Sequence, residues 1–247
     1  MTRYAGSRRA AAELAEFRRL VSAHYPVRDA ELIGYAYARA AHAHAGQRRR
    51  SGDPYITHPV AVALMATQRG TRTAMVCAAL LHDVLEDTAC TEAELRAQFG
   101  AEVADLVTAA TGPHEQVTGD DALTLRILDR LHNMRTIRYL EPDRQRLRAR
   151  HSIRVVAPAA RALGLDGVGA ELEELAGTVL ARPPRPRRLA DRMLAVPVSV
   201  LPAPTRGRWR QEWAGELATL PTRRERAAYL FQTVRAAPTL AVILRRR

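Results

Sequence analysis

Lysine is absent from this 247-residue chain, so all 38 of its basic residues are arginine. Its positive charge is therefore wholly guanidinium, which grips phosphate in a forked geometry and does not titrate near neutrality. Cysteine is almost absent too. Cys77 and Cys90 form no CxxC pair, which argues against a disulfide framework and a thiolate zinc site and leaves Cys77 as a core residue. Apolar runs such as Ala78-Ala79-Leu80-Leu81 stop far short of the roughly 18 to 20 residues of a membrane span. The opening MTRYAGSRRAAAELAEFRRL lacks the unbroken apolar segment of a secretory leader. These absences predict a cytoplasmic protein. With 47% hydrophobic residues the chain is too apolar for wholesale disorder and long enough for one generous domain with an appendage, or two small ones.

What is present is unevenly placed. Residues 181–247 hold fifteen arginines and four acidic residues, a net charge of +11, which leaves +1 for residues 1–180. An anionic partner meets the C-terminal part first. No strand-like alternation of useful length precedes residue 193, and apolar residues recur instead at helical spacing from about Ala11 to Val179. The predicted class is all-α: a multi-helix bundle over residues 1–180, an Arg/Pro linker at 181–188 (ARPPRPRR), and a small, basic, mostly helical extension at 189–247.

Within the bundle, the spacing predicts helices at 59–69, 72–85, 91–98, 101–110, 122–139, 143–163 and 167–179, with a loop from Gly46 to Pro54. Thr71 is placed to cap the second of these. Thr91 followed by Glu94 is a capping-box pattern. Gly100, Gly164 and Gly169 punctuate. In the extension, Met193–Val200 reads as a short strand that Pro197 confines to an edge. Trp209–Leu220 reads as a helix with Trp209, Trp213, Leu217 and Leu220 on one face, and Arg223–Val234 as another with Ala227, Leu230, Phe231 and Val234 together.

Chemistry concentrates in His82-Asp83-Val84-Leu85-Glu86-Asp87, directly after a buried-looking run. On a helix, His82 aligns with Glu86 and Asp83 with Asp87. A folded core tolerates four such groups only if they are paired, hydrogen-bonded or metal-bound. Imidazole and carboxylate together suit divalent Mn, Fe or Zn. His58 stands at the mouth of a helix begun by Pro59, and Asp129 shares a face with Asn133. Each residue also has a structural reading. His82 can be a satisfied core histidine, His58 a cap, Asp129 a partner of Arg130 or Arg126, and the arginine triplet at 48–50 a solvated cluster.

Taken together, GQRRRSGDPYITHPVAVA, AALLHDVLEDT with FGAEVADLV, and DRLHNMRTI resemble, in order, the HD-type hydrolase domain of the bifunctional guanosine tetraphosphate enzymes and their small stand-alone relatives. The resemblance runs over roughly residues 30–177. It implies metal ligands His58, His82, Asp83 and Asp129, normally for Mn²⁺. It also implies Glu86 and Asp87 as the groups that prepare the attacking water, and Arg49, Arg50, Ser51, Asn133 and Thr136 as contacts to a guanine nucleotide. The implied activity is hydrolysis of the 3′-pyrophosphate of guanosine tetra- or pentaphosphate to GDP or GTP plus pyrophosphate. Two departures stand out. The stretch from Asp83 to Asp129 is shorter than the family's, and no synthetase motifs follow residue 180. A competing reading is a catalytically weak HD domain that binds nucleotide or protein as a sensor. For the extension, the composition points to self-association or docking, with a non-specific anionic surface as an alternative and no specific nucleic acid.

Overall fold

The computed structural model describes residues 2–111, 119–182, 189–220 and 222–245. Among them there are helices and no strand, and the one extended pairing is an isolated bridge between Arg48 and Pro54. The fold is all-α. The chain divides into two compact units, residues 1–182 and 183–247, and positions 183–188 of the Arg/Pro stretch lie outside the described residues.

The first unit is built around two short helices that are apolar on every side, α3 (Thr57–Gln68) and α4 (Thr73–Leu81). A helix of that composition has to be enclosed, and it is. The two pack on each other, α1 (Thr2–His24) covers α3, α2 (Val27–Ala43) covers α4, and α7 (Ala101–Ala110) and α8 (Asp120–Arg135) close the remaining sides. Between them lie α5 (Val84–Asp87) and α6 (Glu92–Phe99). After them come α9 (Pro142–His151), α10 (Ala157–Ala162) and α11 (Asp166–Ala181). Leu80, Leu81, Leu125, Leu128 and Leu131 have no exposed surface. Because α8 turns its leucines inward, Asp129 and Asn133 are left at the edge of the core, half-buried.

Several boundaries differ from the sequence reading for identifiable reasons. The helix expected over 72–85 breaks at His82-Asp83, where the His82 ring hydrogen-bonds the Ala79 carbonyl (2.9 Å) and a new turn, α5, begins. Thr71 does not cap α4: its hydroxyl donates to Ala66 O (3.1 Å) and closes the end of α3. The Thr91–Glu94 capping box is present in both directions. Gly100 and Gly164 occupy positive φ (+83° and +72°), where side chains are strained. Gly169 instead lies inside α11, where a Cβ would stand 3.2 Å from the Ala157 carbonyl, so its absence permits close helix packing. The helix expected over 143–163 is divided by a π turn at Ser152–Val156.

The second unit consists of α12 (Leu189–Ser199), α13 (Arg206–Thr219) and α14 (Arg223–Arg245). The strand expected at 193–200 is the end of α12. Leu194, Val198 and Leu201 are fully or almost fully buried at helical spacing, and that stripe decides the conformation against the β-branched valines. Trp213 and Leu217 lie in the same small core, with Trp209 and Leu220 packed against it. α14 runs beyond Val234 through Pro238. It buries Leu230, Ala237 and Ala241, whereas Ala227, Phe231 and Val234 are exposed, so the buried face is not the expected one. By length and composition alone, Arg224–Arg245 is also long and apolar enough to cross a bilayer, which the count of unbroken apolar runs did not anticipate.

Candidate metal centre

Four side chains from three segments converge at one point. His58 enters from the first turn of α3, His82 and Asp83 from the break between α4 and α5, and Asp129 from α8. His58 Nε2 lies 3.0 Å from Asp129 Oδ1 and 3.5 Å from Asp83 Oδ2. His82 Nε2 lies 3.1 Å from Asp83 Oδ1 and 3.8 Å from Asp129 Oδ1. Donor atoms of His58, His82 and Asp83 all fall within 4.8 Å of one another.

The hydrogen bonds outside this cluster orient the rings. With His82 Nδ1–H donating to the Ala79 carbonyl, Nε2 of the neutral ring carries a lone pair, and that atom is buried with no hydrogen-bond partner. A lone pair aimed at two carboxylates calls for a cation between them, either a proton or a metal ion. Burial works against charge on His82, but Asp83 and Asp129 outweigh it and raise the ring to about 9. Burial also pulls the Asp129 carboxyl upward, and the imidazoles of His58 and His82 overcome it and hold Asp129 well below the ordinary carboxylate range. For His58 burial prevails and the pKa is lowered. Two nitrogens and carboxylate oxygens around a buried orphaned donor fit a divalent ion.

Beside this cluster, the Tyr55 hydroxyl lies 2.8 Å from Asp83 Oδ2 and 2.6 Å from Asp87 Oδ2, so its one proton is shared between them. Burial and the two carboxylates push its pKa up and keep that proton in place. Tyr55 is itself stacked on His44 with ring centroids 4.5 Å apart, and Gln47 Nε2 donates to the Asp87 carbonyl (2.9 Å). Glu86 and Asp87 are exposed on α5. The i, i+4 relation of Asp83 to Asp87 survives the helix break because Asp87 N still donates to Asp83 O (2.9 Å).

Next to the carboxylates opens a cavity of about 320 Å³, lined on one side by Arg48, Arg49, Arg50 and Ser51 and on the other by Asn133, Thr136 and Arg148. Four guanidiniums and no carboxylate line it, which suits an anion. Arg49 reaches across the cavity, donating to Asn133 Oδ1 (3.2 Å) and Thr136 Oγ1 (3.4 Å). Asn133 in turn donates to Asp129 Oδ1 (2.6 Å), so cavity and cluster share a hydrogen-bond chain. Ser51 Oγ donates to Asp53 Oδ2 (2.8 Å), and Arg48 donates to Gly52 O (2.8 Å), shaping the loop. A larger hollow of about 660 Å³ elsewhere is rimmed by Glu102, Asp105, Asp120 and Asp121 and has the wrong sign for phosphate.

Ten of the eleven residues singled out in the sequence lie in or beside one contiguous region, and Glu86 stands exposed on α5 next to Asp87. Sequence reasoning missed Tyr55, His132 and Arg148. His132 Nδ1 sits 2.6 Å from His58 Nδ1, and burial, then the charges of His58 and Arg49, lower its pKa to about 2, so it stays neutral. The available signal was its place three residues after Asp129, one helical turn on.

A family model described as HD domain matches residues 36–116. Among curated proteins, the chain is 40% identical over 182 residues to a "Probable GTP pyrophosphokinase" of Mycobacterium leprae, covering 65% of this chain and 23% of the relative. It is 42% identical over 153 residues to the "Guanosine-3′,5′-bis(diphosphate) 3′-pyrophosphohydrolase" of Haemophilus influenzae, covering 54% and 23%. A solved structure described as a metazoan ortholog of SpoT that hydrolyzes ppGpp aligns with 23% identity and a TM-score of 0.48, over 63% of this chain and 96% of that one. The helical unit around the cluster contains an HD domain, a class that binds divalent metal. More particularly, the chain is homologous to the RelA/SpoT hydrolases and synthetases of ppGpp. It spans about a quarter of the length of the curated relatives it matches.

Proposed function

We propose that this chain is a metal-dependent hydrolase that removes the 3′-pyrophosphate from guanosine tetra- or pentaphosphate, releasing GDP or GTP and pyrophosphate. The observation that carries the proposal is the meeting of His58, His82, Asp83 and Asp129 around an orphaned, buried His82 Nε2, with an arginine-lined cavity at its side. Homology to enzymes named for this hydrolysis supports the substrate class.

In this reading those four residues hold the ion, for which Mn²⁺ suits a mixed imidazole and carboxylate set. A divalent ion there supplies Lewis acidity, making a water acidic at neutral pH and polarising a phosphoryl oxygen. The protein does the rest. Arg49, Arg50 and Ser51, with Arg48 beside them and Arg148 across the cavity, neutralise and position the pyrophosphate. Asn133 and Thr136, already held by Arg49, form the wall against the nucleoside. Asp87 and Glu86 are the bases that orient the attacking water and accept its proton. The water oxygen bonds to the inner phosphorus, the bond from that phosphorus to O3′ breaks, and O3′ takes up a proton. With His82 and Asp83 lodged in the buried helix break, the ligands are preorganised.

The test is release of pyrophosphate from guanosine tetraphosphate by the purified chain with Mn²⁺, alongside calorimetric titration of nucleotide onto an Asp87→Asn variant. Turnover by the wild type, abolished by EDTA, with nucleotide still bound by Asp87→Asn, is expected. Nucleotide binding by the wild type without turnover would favour a sensor instead. A site in cytoplasmic surroundings accords with the substrate class.

A further inference from the structure

Helix α14 has two apolar faces, and only one has a partner within its unit. Leu230, Thr233, Ala237 and Ala241 face the small core with Leu194, Val198 and Trp213. Turned by one residue, about 100° round the helix, Phe231 (65% exposed), Val234, Pro238 and Val242 repeat the same spacing and are open. Arg224, Arg235 and Arg245 share this outer face at its two ends and middle, since residues eleven and twenty-one positions after Arg224 return close to the same angle at 3.6 residues per turn. All three are exposed, and none forms an ion pair among the described residues. Arg235 lies over the Phe231 ring, 5.8 Å from its centroid.

The carboxylates of α13 and α14 are committed elsewhere. Glu225 caps the start of α14 by accepting from Thr222 N (2.9 Å) and Oγ1 (2.8 Å), Glu216 accepts from the Tyr229 hydroxyl, and Glu212 faces Arg208. The outer face of α14 is consequently apolar and cationic with no acidic residue on it.

We propose that this face docks on an anionic lipid surface. The charge pattern selects the occupant. A second copy meeting it through the same face would set arginine against arginine, since that face carries no carboxylate. The face is also a convex ridge along one helix about 35 Å long by rise per residue, which a fluid bilayer can follow. Arginine stems can lie along the lipid boundary while their heads reach phosphate. Lying on the surface also agrees better with the helix than spanning does. Its inner face already packs in the unit, and Arg235 stands near the midpoint of the apolar window.

The experiment is co-sedimentation of the full chain with vesicles of phosphatidylglycerol and phosphatidylcholine, against phosphatidylcholine alone, at low and high salt. The expected result is binding that requires phosphatidylglycerol, falls with salt, and weakens about fivefold for each arginine removed in Arg224→Gln and Arg235→Gln. Phe231→Ser and Val242→Ser should weaken it while leaving its salt dependence in place. These positions are exposed, and unchanged circular dichroism and thermal midpoint would confirm the fold of each variant. Equal binding to neutral vesicles, variants that bind like the wild type, or no vesicle binding with light scattering showing a dimer held through this face would each overturn the proposal. So would recovery of an acidic protein as the sole occupant of the face in place of lipid.

Discussion

His58 and His132 meet ring to ring, Nδ1 to Nδ1, at 2.6 Å inside the protein. A single proton lies in that contact. For His58 Nε2 to offer its lone pair to a cation, the proton must reside on His58 Nδ1 and His132 must accept it, which a neutral His132 can do. His132 is thus a positioning residue acting through His58. His132→Asn retains an acceptor near the same place, whereas His132→Phe does not. Metal affinity measured by competition with a chelator should fall about 10- to 100-fold in the phenylalanine variant and be largely restored in the asparagine one. Equal loss in both would mean that His132 only fills space.

Tyr55 couples a candidate ligand, Asp83, to a candidate base, Asp87, through one hydroxyl. Tyr55→Phe keeps the ring stacked on His44 and removes only that link. Turnover at saturating substrate should drop about 10- to 100-fold with a smaller change in KM. A purely raised KM would place Tyr55 in substrate binding instead.

The end of α8, and with it Asp129 and Asn133, is tied to α11 by Arg135, whose Nε and Nη2 donate to Glu171 at 2.6 and 2.7 Å. The hydrogen bond from Arg135 holds the Glu171 carboxyl below its ordinary range. A depressed carboxyl stabilises the fold above its unfolded pKa of about 4.3, and the contribution disappears as pH falls through the folded value. The pair is about a third exposed, so screening limits it. Glu171→Gln should cost about 0.5 to 1 kcal/mol in urea unfolding at pH 7 and nothing once both states are protonated in acid. A cost that persists in acid would contradict the electrostatic origin.

Cys77 has no exposed surface, and burial pushes its thiol up to about 12. It should resist an aromatic disulfide reagent at pH 8 until the bundle unfolds, with a labelling rate that tracks global opening in denaturant. Rapid labelling of the native protein would show that α4 opens locally, and the cluster beyond its end with it.

The all-helical architecture was legible because α3 and α4 are apolar on every side and their neighbours carry helical spacing and caps such as Thr91 with Glu94. Where the reading failed, tertiary packing had overridden local pattern. Val196, Val198 and Val200 alternate like a strand, yet Leu194, Val198 and Leu201 are buried as a helical stripe. In α14, the apolar residues on two faces made either a possible inner side. At the centre, His82 and Asp83 stood out because ionisable groups follow a buried run directly. His58 and Asp129 depended on motif resemblance, since a histidine before proline and an aspartate beside arginine are ordinary taken singly. Tyr55 and Arg148 had no spacing that announced them, because each reaches the region through the tertiary fold, whereas His132 had one, a helical turn after Asp129.

Asp129 is the most exacting member of the set, since it must arrive from α8, on a separate helix from His58, His82 and Asp83. The decisive measurement is the metal content of wild-type and Asp129→Asn protein after reconstitution with Mn²⁺, taken together with pyrophosphate release from guanosine tetraphosphate by the same samples. The account predicts one tightly bound ion and turnover in the wild type, with weakened metal binding and a rate lower by about 10²-fold or more in the variant. Wild-type protein that takes up no ion, or a variant that binds metal and releases pyrophosphate as the wild type does, would contradict it.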